Sequence, residues 1–96
     1  MKSLSEIQEK LSVVKPYLFG KYPLKSLAIF GSYARGESNQ ASDLDLLVEV
    51  DAVIGSRFVD LADEIEEMVG MRIDLVSRDG VKPKYLEAIK PDLVYV

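Results

Sequence analysis

The spacing of apolar residues predicts an amphipathic helix near the start of the chain. Over residues 3–19, apolar side chains recur at intervals of three and four, the spacing of one helical face: Leu4, Ile7, Leu11, Val14 and Leu18. Ser3 and Glu6 have the spacing of a capping box, which supports a helix start at this point. Pro16 is expected to bend or end the helix, because proline cannot donate a backbone hydrogen bond.

A second amphipathic helix is predicted from Gly55-Ser56 to about Val69. Ser56 is a candidate N-cap, and Gly70 lies where a helix-ending glycine is common. The expected inner face is apolar: Phe58, Leu61, Ala62, Ile65 and Met68. The acids on this helix are expected to form mostly a solvated face.

Four short segments are predicted to be strands, at residues 24–30, 43–50, 71–76 and 93–96. Residues 33–42 are polar and are expected to form a loop or a single turn, and residues 84–90 one or two helical turns. The resulting order, αββαβαβ, predicts one domain over residues 1–96. We expect an α/β (α+β) fold, with helices packed on one face of a small mixed sheet.

Three aspartates interrupt the predicted strands. Asp43 and Asp45 are two residues apart, so both carboxylates point to the same side of a strand, whereas Leu44 and Leu46 point into the core. Asp74 stands alone between apolar residues of another strand, although it could simply pair with Arg72 or Arg78. Three carboxylates that converge repel one another unless one is protonated or a cation lies between them.

Hard oxygen ligands of this kind suit Mg²⁺ or Mn²⁺ carrying a substrate phosphate. Two such ions about 4 Å apart can stabilise the attacking and leaving oxygens of a displacement at phosphorus. In this interpretation Asp43 and Asp45 bridge the ions. Asp74 holds the ion that activates the attacking hydroxyl, and it is also the best candidate to accept that hydroxyl's proton.

A glycine-serine turn follows the first strand and is the candidate phosphate-binding segment. Without a side chain on Gly31, backbone N–H groups can approach phosphate oxygens closely, and the Ser32 hydroxyl adds a donor. Arg35 could contact a phosphate as well, although an ordinary surface arginine is about equally compatible with the sequence. Tyr33, next to the turn, is expected to be packed rather than to stack on a base.

Composition excludes several chemistries. The chain has no histidine, which excludes imidazole as base, nucleophile or metal ligand, and no cysteine, which excludes thiolate metal sites and fits a cytoplasmic protein. A formal charge of −4 argues against general nucleic-acid binding. No apolar run is long enough to span a membrane or to serve as a secretory signal.

The combination of Gly31-Ser32, Asp43-x-Asp45 and the distal Asp74 resembles the nucleotidyltransferase superfamily that includes DNA polymerase β. The short length and the Gly-Ser-Tyr-Ala-Arg-Gly form are most similar to the minimal nucleotidyltransferases. That resemblance implies a polymerase β palm-like fold, Mg²⁺-dependent use of ATP, and transfer of a nucleoside monophosphate. It also implies that the Gly-Ser turn contacts the triphosphate and that the three aspartates bind metal.

The resemblance further implies a partner protein. Minimal nucleotidyltransferases are commonly paired with a helical HEPN-type toxin, and characterised antitoxins of this group adenylylate a tyrosine of that toxin. The leading hypothesis is therefore transfer of AMP to a hydroxyl of a partner protein. Two alternatives remain open at this point: a non-catalytic antitoxin that neutralises its partner by binding, and a free-standing transferase for a small hydroxyl compound such as an aminoglycoside.

Overall fold

Four strands form one mixed sheet in the computed structural model, which describes residues 3–96. They are β1 (Leu24–Phe30), β2 (Leu44–Val50), β3 (Ile73–Ser77) and β4 (Val94–Tyr95). Their order across the sheet is β3-β2-β1-β4, with β1 antiparallel to β2 and β4, and β2 parallel to β3. The predicted small mixed sheet is confirmed.

Four α-helices connect and cover these strands: α1 (Leu4–Lys21), α2 (Gly31–Arg35), α3 (Arg57–Val69) and α4 (Pro83–Ile89). Short 3₁₀ turns cover Arg78–Gly80 and Lys90–Asp92. Within residues 3–96, no helix combines the length and the apolar character needed to cross a membrane.

The helix α1 forms close to its predicted bounds. The Ser3 hydroxyl accepts a hydrogen bond from the Glu6 backbone N–H, and the Glu6 carboxylate accepts one from the Ser3 backbone N–H, so the capping box is complete. The helix does not stop at Pro16 but continues to Lys21. Pro16 and Ser12, whose carbonyl loses its partner, both lie on the exposed side, where water can satisfy that oxygen.

The Gly-Ser segment and the second long helix also differ in detail from the prediction. Residues 31–35 form the short helix α2, which ends at Gly36 in a left-handed conformation, and the loop begins only after it. In α3 the buried residues are Leu61, Ile65 and Val69, whereas Met68 is 36% exposed and not on the inner face. Ser56 precedes α3 but makes no side-chain cap.

The two faces of the sheet are covered differently. Leu27 and Ile29 of β1 lie with every other residue of β2 in the main core, against α1 and α3. On the opposite face, Phe30 and Leu47 form a smaller cluster with Ile89 of α4. The long helices therefore lie on one face, as expected, while α4 covers only part of the other.

The aromatic residues after the middle of α1 divide between core and surface. Tyr22 is buried, and Phe19 is partly buried against the main core. Tyr17 is instead 47% exposed. Tyr33 of α2 is buried, as expected for a packed residue beside the turn.

Candidate functional site

Asp45 and Asp74 lie side by side in the sheet. They are direct register partners in the parallel pair β2–β3, and Phe30 of β1 is the partner of Asp45 on its other side. Neighbouring strands are about 4.8 Å apart, and paired residues point to the same face. Both carboxylates therefore project from the face that the long helices leave uncovered.

Asp43 joins them at the start of β2. It lies two residues before Asp45, in the chain segment that leads into the strand. Its carboxylate faces Arg72, with Oδ1 at 3.8 Å from the arginine Nε, and its side chain is 45% exposed. Arg72 thus pairs with Asp43 rather than with Asp74, and the second arginine considered, Arg78, lies 3.9 Å from Glu49 instead.

Asp45 is the carboxylate of this face whose pKa is clearly shifted. Partial burial raises the pKa of its carboxyl, the neighbouring charges of Asp74 and Asp43 raise it further, and Arg35 opposes the shift. In the part of the chain that the structure describes, no hydrogen bond or salt bridge reaches the carboxylates of Asp45 and Asp74. Burial and like charges therefore disfavour the ionised form of Asp45, and Arg35 offsets them only in part.

Gly31 makes the position of Asp45 possible. Its φ is +75°, a left-handed conformation that favours glycine. A Cβ at this position would lie 2.1 Å from Asp45 Oδ2 and 2.9 Å from its Cγ. The sequence predicted this glycine for its approach to phosphate, but it did not reveal that a side chain here would collide with the carboxylate.

Ser32 and Arg35 belong to α2, on either side of the buried Tyr33. Ser32 is partly exposed, and its hydroxyl makes no hydrogen bond within residues 3–96. The Arg35 Nε donates to Glu37 Oε1 at 2.7 Å, and its terminal nitrogen donates to Asp92 Oδ2 at 3.1 Å. These two acids, Glu37 first, raise the pKa of Arg35.

Sequence reasoning missed Asp92, which approaches Arg35 from the turn before β4. Nothing in the local pattern around Asp92 signals this contact, because 57 residues separate it from Arg35. The pairing holds the guanidinium near the acidic face, where its charge acts on Asp45. Of the site residues predicted from sequence, the structure brings three into direct proximity. Gly31 lies against the Asp45 carboxylate, and Asp74 is the register partner of Asp45.

The donor set suits a hard divalent cation, although the side chains are not closed around one. Among residues 3–96 no three acidic side chains stand in an arrangement that could hold a metal ion. The Asp43 carboxylate faces Arg72 in this arrangement. The carboxylate oxygens fit Mg²⁺ chemically, as does the raised pKa of Asp45, which burial and the neighbouring acids cause.

Comparison with known proteins agrees with this geometry. The family model described as "Nucleotidyltransferase domain" matches residues 1–96. A relative from Methanocaldococcus jannaschii, "Putative protein adenylyltransferase MJ1379", is 41% identical over 100 residues and aligned over 100% of both chains. The chain therefore belongs to the nucleotidyltransferase domain family.

Comparison with solved structures identifies the fold of the chain more narrowly. The chain superposes with a TM-score of 0.82 and 29% identity on "Structure of putative minimal nucleotidyltransferase", covering 97% of this chain and 95% of that one. A second match, "Crystal structure of the toxin-antitoxin with AMP-PNP", has a TM-score of 0.57 and 23% identity, with 84% and 61% covered. The first match confirms the predicted minimal nucleotidyltransferase fold, and the second shows a shared fold alone.

Proposed function

We propose that this protein transfers AMP from ATP to a hydroxyl group of a partner protein, in a reaction that depends on Mg²⁺, and that it acts as the antitoxin of a HEPN-type toxin. The observation that carries the proposal is the register pairing of Asp45 with Asp74, with Asp43 two residues before Asp45 and near enough for its charge to act on it. The raised pKa of Asp45 supports it, because carboxylates held together without partners are suited to receive a cation.

The reaction forms one bond and breaks one. The acceptor hydroxyl oxygen attacks the α-phosphorus of ATP, the bond between the α-phosphorus and the bridging oxygen breaks, and pyrophosphate leaves. The hydroxyl proton passes to Asp74, directly or through water, which its exposed position on the uncovered face allows. The products are the adenylylated acceptor and pyrophosphate.

The side chains of this protein have distinct roles in that reaction. The turn at Gly31 and Ser32 supplies donors for the triphosphate oxygens, since the Ser32 hydroxyl has no other partner in residues 3–96. Arg35, held by Glu37 and Asp92, adds positive charge at the edge of the site. Asp43, Asp45 and Asp74 hold Mg²⁺, with two ions in the scheme we favour. The metal, when bound, neutralises the carboxylates and withdraws charge from the phosphates.

An acceptor from another protein fits the open character of this site. The acidic face is covered only in part by α4, so Asp74 and Asp43 remain exposed. The name of the M. jannaschii relative, protein adenylyltransferase, and the toxin–antitoxin structure with AMP-PNP support a protein acceptor. We further propose that residues 1–96 act as a single domain in the cytoplasm, without general affinity for nucleic acid.

Label transfer from α-³²P-ATP is the direct test. Purified protein is incubated with Mg²⁺ and a lysate that contains the product of the adjacent gene, and labelled bands are identified by mass. We expect one labelled protein, and loss of the label with EDTA or with the Asp43→Asn/Asp45→Asn double variant.

Asp79→Asn is the matched control. Asp79 is an exposed aspartate in the 3₁₀ turn after β3, and it makes no salt bridge in the described part of the chain. Full labelling by the double aspartate variant would refute the assignment of the site. Neutralisation of the partner by that variant, without any label transfer by the wild type, would indicate a non-catalytic antitoxin. Labelling of an aminoglycoside in place of protein would indicate the small-molecule alternative.

A further inference from the structure

Tyr85 is an aromatic residue on the acidic face that the proposed reaction has not used. It lies in the first half of α4, the helix that covers part of this face, and its side chain is 47% exposed. In residues 3–96 its hydroxyl makes no hydrogen bond. The neighbours of this ring point to a role for it.

The ring of Tyr85 is held in place by Phe30. The two ring centroids are 6.4 Å apart and the planes are inclined by 86°, an edge-to-face contact of the favourable kind. Phe30 is itself buried, so it forms a fixed support beneath a half-exposed ring. The position of the Tyr85 ring is therefore defined before any ligand arrives.

The position of Phe30 in the sheet places this aromatic pair next to the candidate site residues. It is the register partner of Asp45, and it directly precedes Gly31 of the phosphate-binding turn. The half-exposed ring of Tyr85 is thus one side chain away from both the carboxylates and the turn. A flat hydrophobic surface at the edge of a triphosphate site suits a nucleobase, since every base has a π-face and stacking requires no particular hydrogen bonds.

We propose that Tyr85, supported by Phe30, forms the wall on which the base of the bound nucleotide stacks. The inference rests on the proposed nucleotide site and adds the residue that binds its base. It implies that binding is shared between two separate parts of the ligand. The turn and the carboxylates take the triphosphate, and the aromatic pair takes the base.

Two ligands separate these contributions: AMP-PNP, which has a base, and inorganic tripolyphosphate, which has none. Binding of each is measured by calorimetry in Mg²⁺ for the wild type, Tyr85→Leu and Tyr85→Phe. We expect Tyr85→Leu to weaken AMP-PNP binding at least ~5-fold, the lower end of what loss of a base-stacking aromatic causes. Tripolyphosphate binding should stay unchanged in all three, and Tyr85→Phe should keep the affinity for AMP-PNP.

Tyr95→Leu is the matched control. Tyr95 is 55% exposed and lies on the same face, but it pairs with Ala28 on the edge strand rather than contacting Phe30. Its replacement should change neither affinity. Thermal melts of each variant confirm that the fold is retained.

Several results would overturn the proposal. An unchanged affinity of Tyr85→Leu for AMP-PNP would overturn it. If transfer to a partner protein fell at the same time, the result would indicate that Tyr85 contacts that protein instead of the base. An equal loss for both ligands would also overturn the proposal, because it would show a disturbed phosphate site. A wild type that binds AMP-PNP but transfers no AMP from ATP would refute the proposed function. The effect of Tyr85→Leu on AMP-PNP binding would still test the role of Tyr85. A wild type that does not bind AMP-PNP would overturn both.

Discussion

Two carboxylates in this protein, Asp45 and Glu64, stand in opposite electrostatic environments. Glu64 of α3 accepts hydrogen bonds from Tyr17 at 2.7 Å, from Lys21 at 3.1 Å and from Tyr22. These donors, Tyr22 first, lower the pKa of Glu64 to about 2. Asp45 has no hydrogen-bond donor within residues 3–96, and burial with two neighbouring acids raises its pKa. The folded state favours the ionised form of Glu64 and disfavours that of Asp45.

The Glu64 cluster joins α1 to α3 on the side of the protein away from the acidic face. Arg57 adds to it by donating to the Lys21 carbonyl at 2.5 Å and by stacking 4.9 Å from the Tyr22 ring. The same cluster raises the pKa of Tyr22 to about 12, chiefly through burial and its bond to Glu64. The charge of Glu64 is thus satisfied by neighbouring side chains. This difference teaches that a carboxylate's partners, rather than its exposure alone, separate a structural acid from a functional one.

The largest expected effect comes from a methyl group beside Asp45. Gly31→Ala should lower the transfer rate at least ~100-fold, because the new Cβ must displace a reacting carboxylate by an ångström or more. The change is measured by label transfer from ATP. Gly36→Ala is the control, since Gly36 has a similar φ of +72° but nothing within 4 Å of its would-be Cβ. It should cost about 1 kcal/mol of stability and leave transfer intact. If both variants lost transfer activity equally, the contact between position 31 and Asp45 would not explain the loss.

Asp45→Asn should change stability and activity in opposite directions. The folded protein raises the pKa of Asp45 above its unfolded value of 3.8, so the ionised carboxylate destabilises the fold at neutral pH. We expect the asparagine variant to melt at a higher temperature than the wild type at pH 7 while losing transfer. The gain should disappear as the pH falls below 3.8, where the wild-type carboxyl is protonated as well. A variant that melts lower at pH 7 would contradict this account.

Glu64→Gln should do the opposite. The folded state lowers the pKa of Glu64 from 4.5 to about 2, so its stabilisation is complete above pH 4.5 and is lost as the pH falls toward 2. The variant should melt a few degrees lower than the wild type at pH 7, with the difference shrinking across that acidic range and transfer unchanged. Melting curves recorded from pH 7 to pH 2 test this. Glu67→Gln, on the exposed side of the same helix, should have no effect at either pH.

The smallest expected effect concerns Asp92 and its partner. Asp92→Asn should weaken ATP binding by about two- to fivefold, in keeping with a partly exposed ion pair that positions Arg35. In an Arg35→Gln background the same change should have no further effect, because Asp92 acts through the guanidinium. Calorimetric titration of the single and double variants gives the coupling directly. Additive losses would show that Asp92 acts independently of Arg35.

Much of this molecule could be predicted from short-range patterns. Apolar periodicity identified both long helices and all four strands, and the alternation around Asp45 placed its carboxylate on the face opposite Leu44 and Leu46. The position of Asp74 beside it followed once the two strands were taken as neighbours. These features depend on residues a few positions apart, or on the pairing of adjacent strands.

What the sequence did not reveal depends on contacts between distant segments. The Asp92–Arg35 pair spans the site from the far end of the chain, and the Tyr85–Phe30 contact requires knowing that α4 crosses the acidic face. Glu64 looked like one acid among several on a solvated helix face, because its partners lie on another helix. Local propensity also could not tell that the helix would continue through Pro16, since that depends on water reaching a freed carbonyl.

The contact between position 31 and the Asp45 carboxylate ties the two residues together over evolutionary time. While Asp45 is retained, any side chain at position 31 meets its oxygen. A descendant copy that replaced Asp45 by a smaller residue would lose that obstacle, and drift at position 31 would then be limited by backbone conformation alone. The two positions are therefore expected to change together, because a side chain at position 31 requires a smaller or displaced one at position 45.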